Sequence, residues 1–574
     1  MRIDRIVERL ADRWPWAVEP KPDTERALSY LDAGVDAESL GGAARVVAVV
    51  TLLAAVATGT ALGALRSPRQ GVVVASTGVA IGAAVPLVAR EAPTFLTTVA
   101  RTRALGAAAS LVGRAALRLR LDPTVERAAA FAAETGDGPL AESLGTHVDR
   151  AEGTPRSGFG SFAREWSDRF PALERAVARL DAAASAPSSE RDQHLDRAVE
   201  AALDGVRAEL ASFVSDIRGV VTGLYAFGVL LPLALVGVLP AARATGVAFS
   251  LPVIVVLYDA LLPAVVVVTG AWILARRPVA FPPPRVGRDH PDTPDGRART
   301  VVSGVAAAAV GGGVAARLVA AWTAPLAAVG FGVGAALVVD ARAAKRVRER
   351  VRAVESDLAD ACYLVGRRVA AGEAVESAIA DTADRVAGAT GAMLTDAASR
   401  QRRLGITVGE AFGDEHGVLA TLPSRRTRET ATLFSLAATE GWPAGEALVA
   451  TAEHVEELGR IEREARRELA QVTDTLANTA AVFGPVVGGA TVALSARVAR
   501  TGASTRFGAG PLPTAELGLA VGAYVLWLAA ALTVLSTGLT HGLDRALVAH
   551  RVGVALVLAT TCYLTAFVAA GLFL

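Results

Sequence analysis

Cysteine, lysine and an excess of charge of either sign are what this chain has least of. Only Cys362 and Cys562 occur in 574 residues, and Cys562 lies inside an apolar run. A disulfide scaffold and a cysteine-based zinc site are therefore excluded. Lysine is confined to Lys21 and Lys345, and arginine supplies the remaining positive charge, a bias in keeping with a GC-rich genome. Lys21 follows Pro20 and Lys345 follows Ala344, so the Gly-Lys-Ser/Thr turn of a P-loop motor is missing. Lys plus Arg is 58 against 57 for Asp plus Glu, and no basic excess points to nucleic acid. The seven histidines, at 147, 194, 290, 416, 454, 541 and 550, include no i,i+4 pair bracketing a glutamate. His416 beside Asp414 and Glu415 reads as a solvated loop. No Gly-x-Ser-x-Gly elbow occurs. Neither catalytic residues, nor a cofactor, nor a metal is expected.

What the chain has is apolar length: 52% hydrophobic and 20% charged residues, with a mean hydropathy of +0.40. Such values do not belong to an ordinary soluble protein. A membrane helix needs about 20 mostly apolar residues, and nine runs qualify: 46–65, 71–89, 219–240, 247–275, 301–316, 318–339, 477–496, 517–540 and 552–574. Arg317 splits the fifth from the sixth and reads as a tight turn between two helices. One long tilted helix with a buried arginine is the costlier alternative and leaves eight crossings. The first 44 residues are charged and lack the apolar core of a signal peptide. Within them, RALSYLDAGVDAESL suggests a short amphipathic helix, a Gly-containing break and a second helix entering the bilayer. The glycines in Gly330-Phe-Gly-Val-Gly334 and Gly311-Gly-Gly313 lie in apolar runs with no strand before them, so they serve close helix packing rather than a dinucleotide.

Arginines crowd 276–300, 344–352 and 114–120. By the positive-inside rule these segments and the N-terminus are cytoplasmic; Arg497, Arg500 and Arg506 weaken the rule locally. Two long polar stretches, 90–218 and 340–476, are rich in Ala, Leu, Glu and Arg, with apolar residues at three- and four-residue steps, and read as helical. In the second, Leu448, Ala452, Val455, Leu458 and Ile461 form a stripe, with Glu456–Arg460 and Glu462–Arg466 as i,i+4 pairs. Gly372 and Gly441-Trp-Pro443 mark helix junctions. The linker 276–300 is Pro-rich and should be extended, and 185–193 (SAPSSERDQ) looks similarly soft.

The two stretches resemble each other. Leu111-Val-Gly-Arg114 recurs as Leu364-Val-Gly-Arg367, followed at equal spacing by Phe159-Gly160 and Phe412-Gly413, then by Pro171 and Pro423. Arg207-Ala-Glu-Leu-Ala and Arg466-Arg-Glu-Leu-Ala each lead into a membrane run with Phe-Gly and then Pro: Phe227, Gly228, Pro232 and Phe483, Gly484, Pro485. A tandem duplication is expected.

This order of motifs over about residues 25–574 resembles the type II secretion system F domain family, and in its two-copy arrangement the archaeal PilC, TadC and ArlJ branch. The resemblance implies an all-α polytopic membrane protein with about nine transmembrane helices and two cytoplasmic antiparallel helical-bundle F domains. The expected division is an N-terminal segment 1–45, a hairpin 46–89, domain 90–218, helices 219–275, linker 276–300, hairpin 301–339, domain 340–476 and helices 477–574. It further implies a non-enzymatic platform in the cell membrane that couples a cytoplasmic hexameric secretion ATPase to the extraction of pilin subunits from the bilayer, with a homodimer as a further possibility. Arg400, Arg402 and Arg403, with Arg425, Arg426 and Arg428, are the candidate ATPase contacts; a merely solvated face is the alternative. Asp259, inside an apolar run, is either a proton or cation site or an acid that locks helix packing. A transporter with regulatory helical domains and a receptor or scaffold without a filament stay open as rivals.

Overall fold

The computed structural model describes residues 3–573 apart from 17–20, 31–34, 66–81, 83–84, 87–88, 98–106, 137, 155–156, 169, 245–253, 278–285, 287–289, 294–295, 414–416, 441–442 and 501–512. The second apolar run, 71–89, lies largely outside the described residues, and Asp414, Glu415 and His416 lie wholly outside them. Among the described residues every regular element is a helix. Eight helices among the described residues are long and apolar enough to cross a bilayer, each matching one of the other eight apolar runs. The chain is an all-α, multi-pass membrane protein.

The chain begins with α1 (Ile3–Ala11), α2 (Pro22–Tyr30) and the first membrane helix α3 (Ala37–Leu65). A bundle follows: α4 (Ala108–Leu121), α5 (Val125–Thr135), α6 (Pro139–Ala151), α7 (Phe159–Trp166), α8 (Pro171–Ser185) and the long α9 (Ser188–Tyr225). Membrane helices α10 (Leu231–Ala244), α11 (Leu262–Arg276), α12 (Arg297–Leu318) and α13 (Ala324–Glu355) come next. The second bundle holds α14 (Leu358–Ala370), α15 (Val375–Ala383), α16 (Gly388–Leu404), α17 (Val408–Gly413), α18 (Arg425–Glu440) and the long α19 (Pro443–Asn478). Membrane helices α20 (Gly484–Arg500), α21 (Thr514–His541) and α22 (Arg545–Phe573) complete it.

Each polar stretch builds its own apolar core. The first centres on Leu111, Leu140, Phe159, Phe162, Leu173 and Leu195, the second on Val365, Leu394, Phe412, Phe434 and Leu448. The segment 185–193 differs from expectation: only Ala186 and Pro187 interrupt the helices, and α9 starts at Ser188. Proline is at home just before a helix, and Glu190 in the first turn favours the dipole. Gly372 adopts φ +92° at the α14–α15 junction, a left-handed turn that favours glycine. Described residues of the linker are tied down: His290 Nε2 lies 3.0 Å from the Thr421 carbonyl, and Arg350 pairs with Asp292 at 2.9 Å.

Arg317 is exposed at the end of α12, and the chain reverses at Val319–Ala320. Gly304 faces Ala336 and Gly312 faces Ala328, so α12 and α13 run antiparallel along their small residues. This is the tight turn the sequence suggests. Three membrane helices contain π-helical turns, at Ala226–Leu230, Val256–Leu261 and Thr479–Phe483. A proline follows each turn, Pro232, Pro263 and Pro485. Lacking an N–H, Pro232 leaves the Gly228 carbonyl four residues back without its helical donor. The hydroxyl of Tyr524 donates to that carbonyl at 2.9 Å. Tyr258 likewise donates to the Pro232 carbonyl at 2.8 Å, and the two tyrosine rings meet edge to face at 5.2 Å.

Candidate functional site: the contact between the two bundles

Helix α19 and its continuation through the π-turn into α20 form one unbroken rod, Ala444–Arg500, of 57 residues. At 1.5 Å per residue it is about 85 Å long, several times what a bilayer core requires. Its burial changes hands along its length. Ala444, Leu448 and Ala452 belong to the core of the second bundle. Ile461, with Leu458 and Ala465 beside it, packs into the core of the first. Leu469, Leu476 and Ala480 join the membrane core. The stripe that the sequence shows as a single face thus serves two bundles in succession, with the membrane core next along the rod. Helix α9 makes a similar passage, from Leu195 and Leu210 in the first bundle to Ile217 and Leu224 in the membrane. Helix α13 runs from Leu326 in the membrane to Val351 and Val354 in the second bundle.

Both glycines of the repeated Leu-Val-Gly-Arg motif face this rod. A Cβ at Gly366 would lie 2.9 Å from Leu448 Cβ and from the Val449 nitrogen; one at Gly113 would lie 3.0 Å from His454 Nε2. Each glycine is therefore a notch that lets α19 approach. Arg114, next to the second notch, donates to the carbonyl of Thr135 and pairs with Glu429 of the other bundle. Glu429 also receives Arg425 at 2.9 Å. Lower on the rod, Arg207 of α9 pairs with Glu457, which Arg460 also holds at 2.7 Å. The i,i+4 reading of Glu456 with Arg460 is corrected: Arg460 turns one residue along, to the glutamate that the first bundle also engages. Glu462–Arg466 forms as expected, and Arg426 Nη2 donates to the second oxygen of Glu462 at 2.6 Å. Burial works against the charge on Arg426, yet Glu462 and Glu355 outweigh it and hold its pKa above the ordinary value. The two bundles thus pack directly against one another.

His454 sits among these groups, 23 residues ahead of the apolar stretch that begins at 477 and so well outside the bilayer. The residue is only part-buried as a whole, but both ring nitrogens are closed off from solvent and have no hydrogen-bond partner. Desolvation pushes its pKa down to about 4, with Glu429 opposing weakly. The ring is accordingly neutral where it fills the notch.

The candidate arginines fall into two groups. Arg402 and Arg403 are exposed at the end of α16, where Arg400 pairs with Asp396 at 2.9 Å. Arg428 is exposed on α18, whereas Arg425 and Arg426 are engaged by Glu429 and Glu462 and face the contact between bundles. Asp259 lies in the π-helical turn of the fourth apolar run, on an exposed face, and no hydrogen bond or ion pair reaches it among the described residues. No group of three His, Cys, Asp or Glu side chains among the described residues is placed to hold a metal. His454 and the pair Arg348–Asp544, with side chains only 4% and 9% exposed, escape the sequence reading. The glycine of the repeated motif is the signal that could have led to His454. No family model, curated protein or solved structure matches this chain.

Proposed function

We propose that the chain is a membrane platform of the F-domain kind, which carries movement produced by a cytoplasmic ATPase to pilin-like subunits in the bilayer. One observation supports this above all: three helices, α9, α13 and α19, pass from bundle to membrane without a loop. A helix that continues into the membrane, even through a π-turn, carries a displacement at a bundle into the bilayer without a flexible linker between. The tandem duplication belongs to this reading. It is supported by the shared course of α9 and α19, each meeting a π-turn and a proline as it enters the membrane. Tyr225 and Thr479, beside the two π-turns, approach within 3.4 Å. The copies diverge elsewhere: Phe159-Gly160 opens α7, whereas Phe412-Gly413 closes α17.

In this reading both bundles are cytoplasmic, the exposed Arg402, Arg403 and Arg428 meet an acidic ATPase surface, and pilin subunits contact the membrane helices, with a second copy of the chain as a further partner. The transporter alternative has Asp259 as its sole support, since no second charged group stands beside it among the described residues. The test is co-purification of a secretion-type ATPase with the full chain, repeated with R402E/R403E/R428E. Loss of the ATPase in the variant supports docking at these arginines. No associated ATPase from cells that assemble filaments removes the proposal.

A further inference from the structure

A second charged site lies where the bundles meet the bilayer. Its level is marked by Trp272, whose ring lies 4.2 Å beneath the Arg276 guanidinium; an indole under an arginine is typical of a membrane–water boundary. At the same level Arg277 donates from Nε to the carbonyl of Leu539 at 2.6 Å, tying the end of α11 to the last turn of α21. Arg348 and Arg352 stand one turn apart on α13. Arg466 comes from α19 and Arg551 from α22, and the charges of Arg348, Arg352, Arg466 and Arg551 all act on His541 at the end of α21. Five elements therefore converge on one patch.

The cations there outnumber the acids. Arg277, Arg348, Arg352, Arg426, Arg466 and Arg551 face Asp544, Glu462, Glu355, Asp474 and Glu429, an excess of one positive charge. Four of these acids are committed, Glu429 to Arg114 and Arg425, and Asp474 acts on Arg551 only through its charge. Asp544 pairs with Arg348 and accepts the Leu547 N–H, Glu462 is shared by Arg426 and Arg466, and Glu355 accepts the Ser424 hydroxyl. Arg348 is 3% exposed, and its Nε meets no acceptor. The guanidinium groups of Arg352, exposed, and Arg551, half-buried, take part in no ion pair or hydrogen bond among the described residues. A guanidinium buried with an unmet donor beside two uncommitted ones is a poor arrangement for an empty surface. It is a good one for an anion with several acceptor oxygens.

We propose that Arg352 and Arg551, backed by Arg348, bind a phosphate group at the membrane surface. A phospholipid headgroup and a soluble phosphate offer the same oxygens, and the patch faces both. The inference needs only that the chain spans a bilayer, not that it serves a filament.

The full chain is reconstituted in nanodiscs of phosphatidylcholine alone or with phosphatidylglycerol, and the lipid retained on release into detergent is measured by native mass spectrometry. Thermal unfolding is followed in parallel with and without inorganic phosphate. Retention of phosphatidylglycerol over phosphatidylcholine, reduced about tenfold in R352Q/R551Q, establishes the headgroup as ligand. A rise in Tm with inorganic phosphate in neutral nanodiscs, lost in the same variant, establishes the soluble anion instead. R352K/R551K keeps the charge and should retain part of the binding; R402Q/R403Q, remote from the patch, should retain all of it. Equal retention of both lipids by the unaltered chain, with no response to phosphate, overturns the proposal whether or not the variants fold. So does undiminished binding in R352Q/R551Q.

Discussion

Gly113 and His454 meet across the boundary between the bundles, so closely that a Cβ on residue 113 would stand 3.0 Å from Nε2 and 3.2 Å from Cδ2 of the imidazole. The glycine belongs to the first bundle's α4 and the histidine to the rod α19. Their contact, with Arg114–Glu429 on one side and Arg207–Glu457 on the other, joins the bundles.

Filling that notch should separate them. Gly113→Leu is expected to destabilise the chain by about 1–3 kcal/mol, the usual cost of overpacking, and His454→Ala on the same background should restore part of it. Gly219→Ala, in a helix and with nothing within 4 Å of the added methyl, should instead gain about 0.5–1 kcal/mol. Thermal unfolding of the reconstituted chain measures all three. Equal effects of G113L and G219A would show that the notch is not tight.

The same contact should respond to pH. His454 has a pKa of about 4 in place against about 6.5 for a free imidazole. Between those values the released ring binds a proton that the docked ring does not. Stability is therefore complete above pH 6.5 and declines as pH falls to 4, by up to about 3 kcal/mol. His454→Leu should flatten the part of the pH profile between 4 and 6.5. An unchanged profile in H454L would assign the acid sensitivity to other groups.

Arg348 and Asp544 should behave as a buried pair. Asp544→Asn leaves a buried guanidinium without its counter-charge and is expected to cost about 3–5 kcal/mol. R348M/D544L, which removes both charges, should recover most of that loss. Denaturation of the two variants in parallel decides it, and a D544N chain as stable as the unaltered one would contradict the buried placement.

The eight membrane helices that are described, and the turn at Arg317, were legible from apolar run length and one misplaced charge, because lipid leaves a chain few alternatives to a helix. The notches were half legible: the repeated Leu-Val-Gly-Arg drew notice as a motif, but its partner on α19 did not, since nothing local to residues 111–114 names a surface hundreds of residues away. At Arg460 the intrahelical pair forms at i,i+3 rather than i,i+4, with Glu457. Spacing alone allows both Glu456 and Glu457, and Glu457 is also the residue that Arg207 of the first bundle reaches. The segment 185–193 misled through its composition, because serine and proline signal a loop and also start a helix. Arg348–Asp544 joins residues far apart in the chain, and neither is unusual in its own neighbourhood.

The rod Ala444–Arg500 links both bundles to the membrane, and Glu468 lies on its exposed side between the last bundle contact and the membrane core. Glu468→Ala keeps the helix; Glu468→Pro breaks it at a cost of about 3 kcal/mol or more. The most direct measurement is a count of surface filaments on cells that lack the gene and on cells that carry the unaltered chain, E468A or E468P at matched membrane levels. Filaments should be absent without the gene, normal with E468A and lost with E468P. Normal filaments in the deletion strain, or in cells carrying E468P, would contradict the account.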